Sequence, residues 1–408
     1  MTLADTLAPA KSSQGPTDTT FARMDRAELE RRWAAVRSHM RAHDLDVLIV
    51  QAFDDPSGGC ARWLCDFGSQ SNMKVVLFFA DTPMVTIEHG ALSVRRAVDP
   101  SGLDTPGVET MISTAAFASI AGTLLYEAQL AAEELKRRGC RRIGLIRPAG
   151  MTHGFVSHLK ESLPQAEFSD ETEALDRLKA VKSPEEFAHI RETCRIQDKV
   201  FQTLLRSVRP GMRDVDLVAL AEHEFRLHGA HQGTMAGGSA PWGKPAMLRP
   251  WRRLNRVLEK GDYFTILLEL SGPSGYCGEV ARQIVLGQAT SQHRETFAVV
   301  KEAQEATAAR FVPGASCRAI ADAHDAFLKR AGFGPELRLY AHGQGYDMVE
   351  RPLIRKDEDM VLEAGMFMAC HPAIATPEMF VFLCDNFIVS EHGPAERVHA
   401  TPQQLFEV

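Results

Sequence analysis

Val257-Leu258-Glu259-Lys260-Gly261 recurs 104 residues further on as Val361-Leu362-Glu363-Ala364-Gly365. Each copy runs into an apolar stretch that predicts a strand, Tyr263 to Leu270 in the first case and Phe367 to Cys370 in the second. Upstream, Pro210-Gly211 recurs 103 residues later as Pro313-Gly314. Each Pro-Gly precedes an amphipathic segment of helical period, Leu217 to Gly229 and Ile320 to Gly332. Anchors kept in register over such a distance predict a duplicated unit of helices and antiparallel strands. The second half of the chain is therefore expected to be an α+β domain with an internal pseudo-two-fold repeat and a cleft along the joint axis.

Ahead of the repeat, Ser183-Pro184-Glu185-Glu186 has the pattern of a helix start. The serine hydroxyl accepts from a free N–H, proline lacks the N–H that would be wasted there, and the second glutamate reaches back. The expected repeat domain spans residues 180–408. Residues 23–176 alternate helical segments with short apolar runs such as Asp46-Val47-Leu48-Ile49-Val50 and Arg142-Ile143-Gly144-Leu145-Ile146. Lys74 to Phe79 and Met84 to Ile87 flank Asp81-Thr82-Pro83 and predict a hairpin. This pattern predicts an N-terminal α/β domain. Residues 1–22, whose first twenty are rich in Ser, Thr, Ala and Pro, are expected to be a disordered leader.

A chain of 408 residues fits two cores better than one. Its formal net charge of -7 argues against a nucleic-acid partner and favours small molecules. The eight cysteines include no Cys-x-x-Cys pair, which fits a reduced, cytoplasmic setting. No apolar run approaches the ~20 residues that span a bilayer, so no membrane partner is expected.

Six segments in order resemble the creatinase, prolidase and aminopeptidase P family, whose catalytic domain is called the pita-bread fold. They are Lys182 to Glu186, Gly261-Asp262, Gly275-Tyr276-Cys277-Gly278-Glu279, Ala341-His342-Gly343-Gln344-Gly345, Leu362 to Met366 leading to Cys370-His371-Pro372, and Cys384-Asp385-Asn386-Phe387-Ile388-Val389. The resemblance implies a homodimer. Its metallopeptidases hold two metals through Asp, Asp, His, Glu and Glu. Carried across, those positions are Leu267 or Leu268 (Glu269 if the register slips), Glu279, His342, His371 and Cys384.

A leucine cannot coordinate, and His and Cys in place of two glutamates remove the bridging oxygens of a two-metal site. The leading expectation is a creatinase-like hydrolase that cleaves a C–N bond in a small polar, carboxylated nitrogen compound without a metal. Catalysis would rest on His342, His371, Glu279 and His231, with histidine suited to proton transfer by its pKa near 6.5. Arg249, Arg351, Cys384, Glu269 and Tyr346 are the expected substrate contacts, the arginines because a guanidinium fork matches a carboxylate. Other readings stay open: one zinc on Glu279, His342, His371 and Cys384 in a hydrolase or peptidase, a lyase or decarboxylase, or a peptide-binding pseudoenzyme.

Overall fold

The computed structural model of the protein describes residues 21–53, 58–66, 73–117, 119–231 and 233–408, so the leader expected over residues 1–20 lies outside the described residues. Phe21 and Ala22, assigned to that leader, are packed: Phe21 stacks on His231 and the Ala22 N–H donates to the Pro273 carbonyl at 3.0 Å.

The first half builds one seven-stranded sheet. Its strands are Val47–Phe53 (β1), Met73–Phe79 (β2), Met84–His89 (β3), Val94–Ala97 (β4), Val108–Thr114 (β5), Arg142–Ile146 (β6) and Glu167–Asp170 (β7), in the order β4-β5-β3-β2-β1-β6-β7. β2 and β3 pair antiparallel as the hairpin pattern predicts, whereas β1, β6 and β7 run parallel. The helices are Arg26–Ala42 (α1), Gly59–Cys65 (α2), Tyr126–Arg138 (α3), His153–Ser162 (α4) and Thr172–Ala180 (α5). Val47-Leu48-Ile49-Val50 is uninterruptedly apolar because both faces of β1 are covered. Val47 and Ile49 join the core under α3 and α4, while Leu48 and Val50 join the core under α1 and α2.

Helix Pro184–Ser207 (α6) opens the second half with the expected capping box. The Ser183 hydroxyl accepts from the Glu186 N–H at 3.2 Å, and the Ser183 N–H donates to Glu186 Oε2 at 2.7 Å. Glu186 also faces Arg32 of α1 at 3.2 Å, which ties this helix start to the first half. Next come Asp214–Leu227 (α7), Gly233–Pro241 (β8), Arg249–Pro250 (β9), Asp262–Ser271 (β10), Cys277–Val285 (β11), Ser291–Ala308 (α8) and Cys317–Arg330 (α9). The chain ends with Ala341–Gly343 (β12), Glu350–Leu353 (β13), Phe367–Cys370 (β14), Ala373–Ala375 (β15), Phe380–Phe382 (β16), Asp385–Ile388 (β17), Glu396–Arg397 (β18) and Leu405–Glu407 (β19).

Two five-stranded sheets result, β19-β11-β10-β8-β9 and β13-β12-β14-β17-β18. The repeat seen in sequence is a repeat of backbone bonding. Arg213 bridges Val257 and Ser316 bridges Val361; the Gly211 N–H donates to Leu258 O at 2.8 Å, and the Gly314 N–H to Leu362 O at 2.7 Å. Gly211 and Gly314 hold φ of +92° and +82°, a region that side chains avoid, which is why both copies keep glycine there. The halves are stitched together where Ala281 of β11 exchanges backbone bonds with Cys384, at 3.2 and 3.3 Å. Among the described residues no helix is long and apolar enough to cross a membrane.

Candidate active site

β10 and β11 form an antiparallel pair in which Glu269 lies directly opposite Glu279 and Leu267 opposite Ala281. Paired residues share a face, and that face alternates along each strand. Leu268 therefore turns into the core beneath α6 and α7, whereas Leu267 packs beside Ala281 and Cys384. The register brings Glu269, not Leu268, to the side of Glu279.

The second copy of the repeat supplies two imidazoles. His342 sits in β12 and His371 follows β14, with ring centres 5.2 Å apart. Coordinating atoms of Glu279, His342 and His371 all lie within 4.8 Å of one another, and all three residues are buried. His342 Nδ1 lies 2.9 Å from the Gly343 carbonyl. A carbonyl only accepts, so Nδ1 carries the hydrogen and Nε2 presents a lone pair. Nε2 faces Glu279 Oε2 at 3.7 Å, and His371 Nε2 lies 4.0 Å from Glu279 Oε1. Burial lowers the pKa of His342 to about 4, and burial next to His342 carries His371 well below its usual value.

A hydrogen-bonded chain backs this cluster. The Asn386 Oδ1 accepts from the Glu279 N–H at 2.6 Å and from His399 Nε2 at 3.2 Å, while Asn386 Nδ2 donates to Gln344 Oε1 at 2.9 Å. Gln344 Nε2 in turn donates to Glu269 Oε1 at 3.3 Å. His399 Nδ1 faces Asp198 Oδ1 at 3.5 Å. Burial pushes Glu279 up to about 7, and burial beside Glu279 raises Glu269 well above the carboxylate range.

The residues present fit one cation. Glu279 Oε2 and His371 Nδ1 are buried without a hydrogen-bond partner, and two lone-pair-bearing atoms, His342 Nε2 and Glu279 Oε2, point at each other. Two imidazoles and a carboxylate form a zinc donor set. Among the described residues no fourth donor joins this group. Cys384, expected as that donor or as a substrate contact, is fully buried, and its thiol contacts the Glu279 carbonyl at 3.5 Å. Burial and the Glu279 charge push its pKa far up, keeping it a thiol.

Other expected site residues lie apart from the cluster. Arg351 is engaged by Glu358 at 3.1 Å, by Asp359 at 2.6 Å and by Glu173, so its guanidinium is already spent on carboxylates of its own chain. Arg249 is exposed on the short edge strand β9. His231 accepts from Arg62 Nη1 at 3.2 Å, and burial beside that cation lowers its pKa to about 4. Tyr346 is buried and stacked on Tyr276 at 4.0 Å.

Comparison with known proteins extends the picture. Residues 188–391 match metallopeptidase family M24. The chain is 26% identical over 286 residues to the uncharacterized peptidase YqhT of Bacillus subtilis, covering 68% of this chain and 78% of that one. It is 25% identical to the Xaa-Pro dipeptidase of Pyrococcus furiosus, covering 62% and 73%. Its fold superposes on the X-Pro aminopeptidase of Thermotoga maritima with a TM-score of 0.76 at 17% identity, over 92% of this chain and 99% of the other. The Xaa-Pro dipeptidase of Bacillus anthracis gives 0.74 at 22% identity, over 93% and 100%.

The expectation of a metal-free enzyme is thereby corrected. The family is one of metalloenzymes, and ligand atoms of three buried side chains, Glu279, His342 and His371, gather within 4.8 Å of one another. Loss of the ligands for a second metal does not entail loss of the first, because Glu279, His342 and His371 remain together. The repeat, the pita-bread architecture over nearly the whole chain and the match to its second half lead to one conclusion: the chain belongs to metallopeptidase family M24 and is a hydrolase of carbon–nitrogen bonds.

Proposed function

We propose that this hydrolase cleaves the C–N bond of a short peptide with the help of a single zinc ion held by Glu279, His342 and His371. The observation that carries the reading is the convergence of ligand atoms of these three buried side chains to within 4.8 Å of one another, with His342 Nε2 facing Glu279 Oε2 at 3.7 Å. A bound zinc ion polarises a carbonyl and lowers the pKa of water.

The chain's own residues do the rest. Glu269, anchored by Gln344 on one oxygen, lies across the strand pair from Glu279 and takes the proton of the attacking water. A carbon–oxygen bond forms at the peptide carbonyl, the carbon–nitrogen bond breaks, and Glu269 passes the proton to the leaving nitrogen. Burial first, and the Glu279 charge second, raise the Glu269 pKa above the usual carboxylate range, which strengthens that residue as a proton acceptor. Burial keeps the His342 ring neutral, and its hydrogen bond to the Gly343 carbonyl holds the proton on Nδ1 and leaves Nε2 free to coordinate. A short peptide replaces the small polar, carboxylated nitrogen compound expected from sequence, in line with the named activities of the relatives.

The test is metal content by mass spectrometry on protein purified without chelator, followed by dipeptide hydrolysis. One zinc per chain is expected, lost in His342→Ala and in His371→Ala. Glu269→Gln should keep its zinc and lose about 10²- to 10⁴-fold in turnover. Two metals per chain, or zinc retained by both histidine variants, refutes the proposal.

A further inference from the structure

Four polar residues that supply no metal ligand, Asp198, His399, Asn386 and Gln344, run in a line from α6 to Glu269. His399 is buried, and Asn386 and Gln344 are both 0% exposed. Sealing amides and an imidazole away from water is costly unless each finds its partners. Apolar side chains would fill the same space without that cost. Sequence analysis placed Gln344 and Asn386 inside two of the six family-like segments but gave neither a role.

Two backbone groups that cannot turn over fix the direction of the bonds. The Glu279 N–H only donates, and it meets Asn386 at 2.6 Å, so the Asn386 atom there is oxygen. Asn386 Nδ2 must then face Gln344, and it donates to Oε1 at 2.9 Å. At the far end the Met348 carbonyl only accepts, and it meets Gln344 at 3.1 Å, which independently requires Nε2 there. The two ends agree. The Gln344 nitrogen is thereby aimed at Glu269 Oε1, at 3.3 Å. Behind Asn386, His399 Nε2 donates to the same oxygen at 3.2 Å, and His399 Nδ1 faces the Asp198 carboxylate at 3.5 Å. Asp198 is held in turn by the N–H groups of Ala400 and Thr401, at 2.8 and 3.1 Å. Both copies of the repeat meet in this line, since Glu269 and Glu279 belong to β10 and β11, whereas Gln344 follows β12 and Asn386 lies in β17.

We infer that Asn386, braced by the Asp198–His399 pair, is a positioning residue that turns Gln344 so that a donor holds Glu269 Oε1 and leaves Oε2 to meet the attacking water. This rests on the reading of Glu269 as the group that takes the proton of that water, and it deepens the reading by naming what orients the carboxylate. The same Asn386 oxygen receives the N–H of Glu279, so one side chain sets the proton acceptor and a proposed zinc ligand against each other.

The test is a double-mutant cycle in dipeptide hydrolysis. Gln344→Met removes the donor to Glu269. Asn386→Asp puts a second oxygen against Gln344, which then turns its Nε2 toward that oxygen and sets Oε1 against Glu269. Each variant should lose about 10- to 100-fold in kcat, the value of a hydrogen bond to a charged group, with KM within about threefold. Because Asn386 acts through Gln344, the double variant should lie within about threefold of the poorer single variant. Separate structural roles would multiply the two losses instead. His399→Leu, which removes the brace, replaces Asn386→Asp in the cycle if that variant does not fold. Amide NMR of the chain as purified needs no turnover: the Gln344 side-chain N–H signals should exchange slowly in the wild type and move in Asn386→Asp or its replacement. Multiplied losses, or Gln344 signals that stay in place, overturn the assignment. Absence of dipeptide turnover in the wild type refutes the proposed function instead, and the NMR result alone then decides whether Asn386 sets Gln344.

Discussion

His399 offers a stability measurement whose sign follows from the structure. It is buried, faces Asp198 Oδ1 at 3.5 Å through Nδ1, and reaches Asn386 Oδ1 at 3.2 Å through Nε2. Burial opposes its charge, but the Cys194 sulfur and the Asp198 carboxylate outweigh that, and its pKa rises to about 10. The unfolded value is near 6.5. A group whose folded pKa is raised contributes fully below the unfolded pKa and loses that contribution as pH climbs to the folded one. The window is therefore about pH 6.5 to 10. At about 1.4 kcal/mol per unit the whole effect is at most about 5 kcal/mol. Asp198 itself, lowered to about 2, titrates far below this range and does not interfere.

The perturbation is His399→Gln, and the assay is calorimetric melting of both proteins at intervals from pH 6 to 10. Other groups titrate in both proteins and cancel in the difference. The wild type should lose its advantage over the variant steadily with rising pH, by about 2–4 °C for each kcal/mol in domains of this size. A difference that stays flat, or grows with pH, refutes a charged His399 and with it the ion pair behind Asn386 and Glu279.

Two further outcomes are expected. Lys179→Met should destabilise the protein by about 3–5 kcal/mol in urea unfolding, because it strands Asp347 and Glu350, which Lys179 meets at 2.9 and 3.1 Å in a buried network; a loss below 1 kcal/mol would show that Lys182 alone neutralises Glu350. Arg351→Ala should lower the melting temperature while leaving KM for a dipeptide within about twofold, since its guanidinium serves Glu358, Asp359 and Glu173. A tenfold rise in KM would restore Arg351 to the substrate site.

The repeat was legible because its anchors answer backbone demands that few residues can meet: glycine at positive φ in Gly211 and Gly314, and an apolar run wherever a strand is covered. Glu279 and His342 were legible for a related reason, since each sits on a strand beside glycines that fix the alignment, and His371 directly follows the strand that the repeat anchors at Gly365. Glu269 was harder. Sequence spacing favours a leucine at the equivalent position, and only the pairing of β10 with β11 decides which residue faces Glu279. Arg351 misled because Glu173, which helps to hold it, lies in the first domain.

The division of donors between the duplicated halves has a wider consequence. The first half brings acid, Glu269 and Glu279, and the second brings imidazole, His342 and His371, so the two copies have become chemically opposite while remaining alike in backbone. Neither copy holds a working centre by itself. Any substitution that loosens the seam at Ala281 and Cys384 would therefore act on chemistry much as the loss of a ligand would, although it touches none of them.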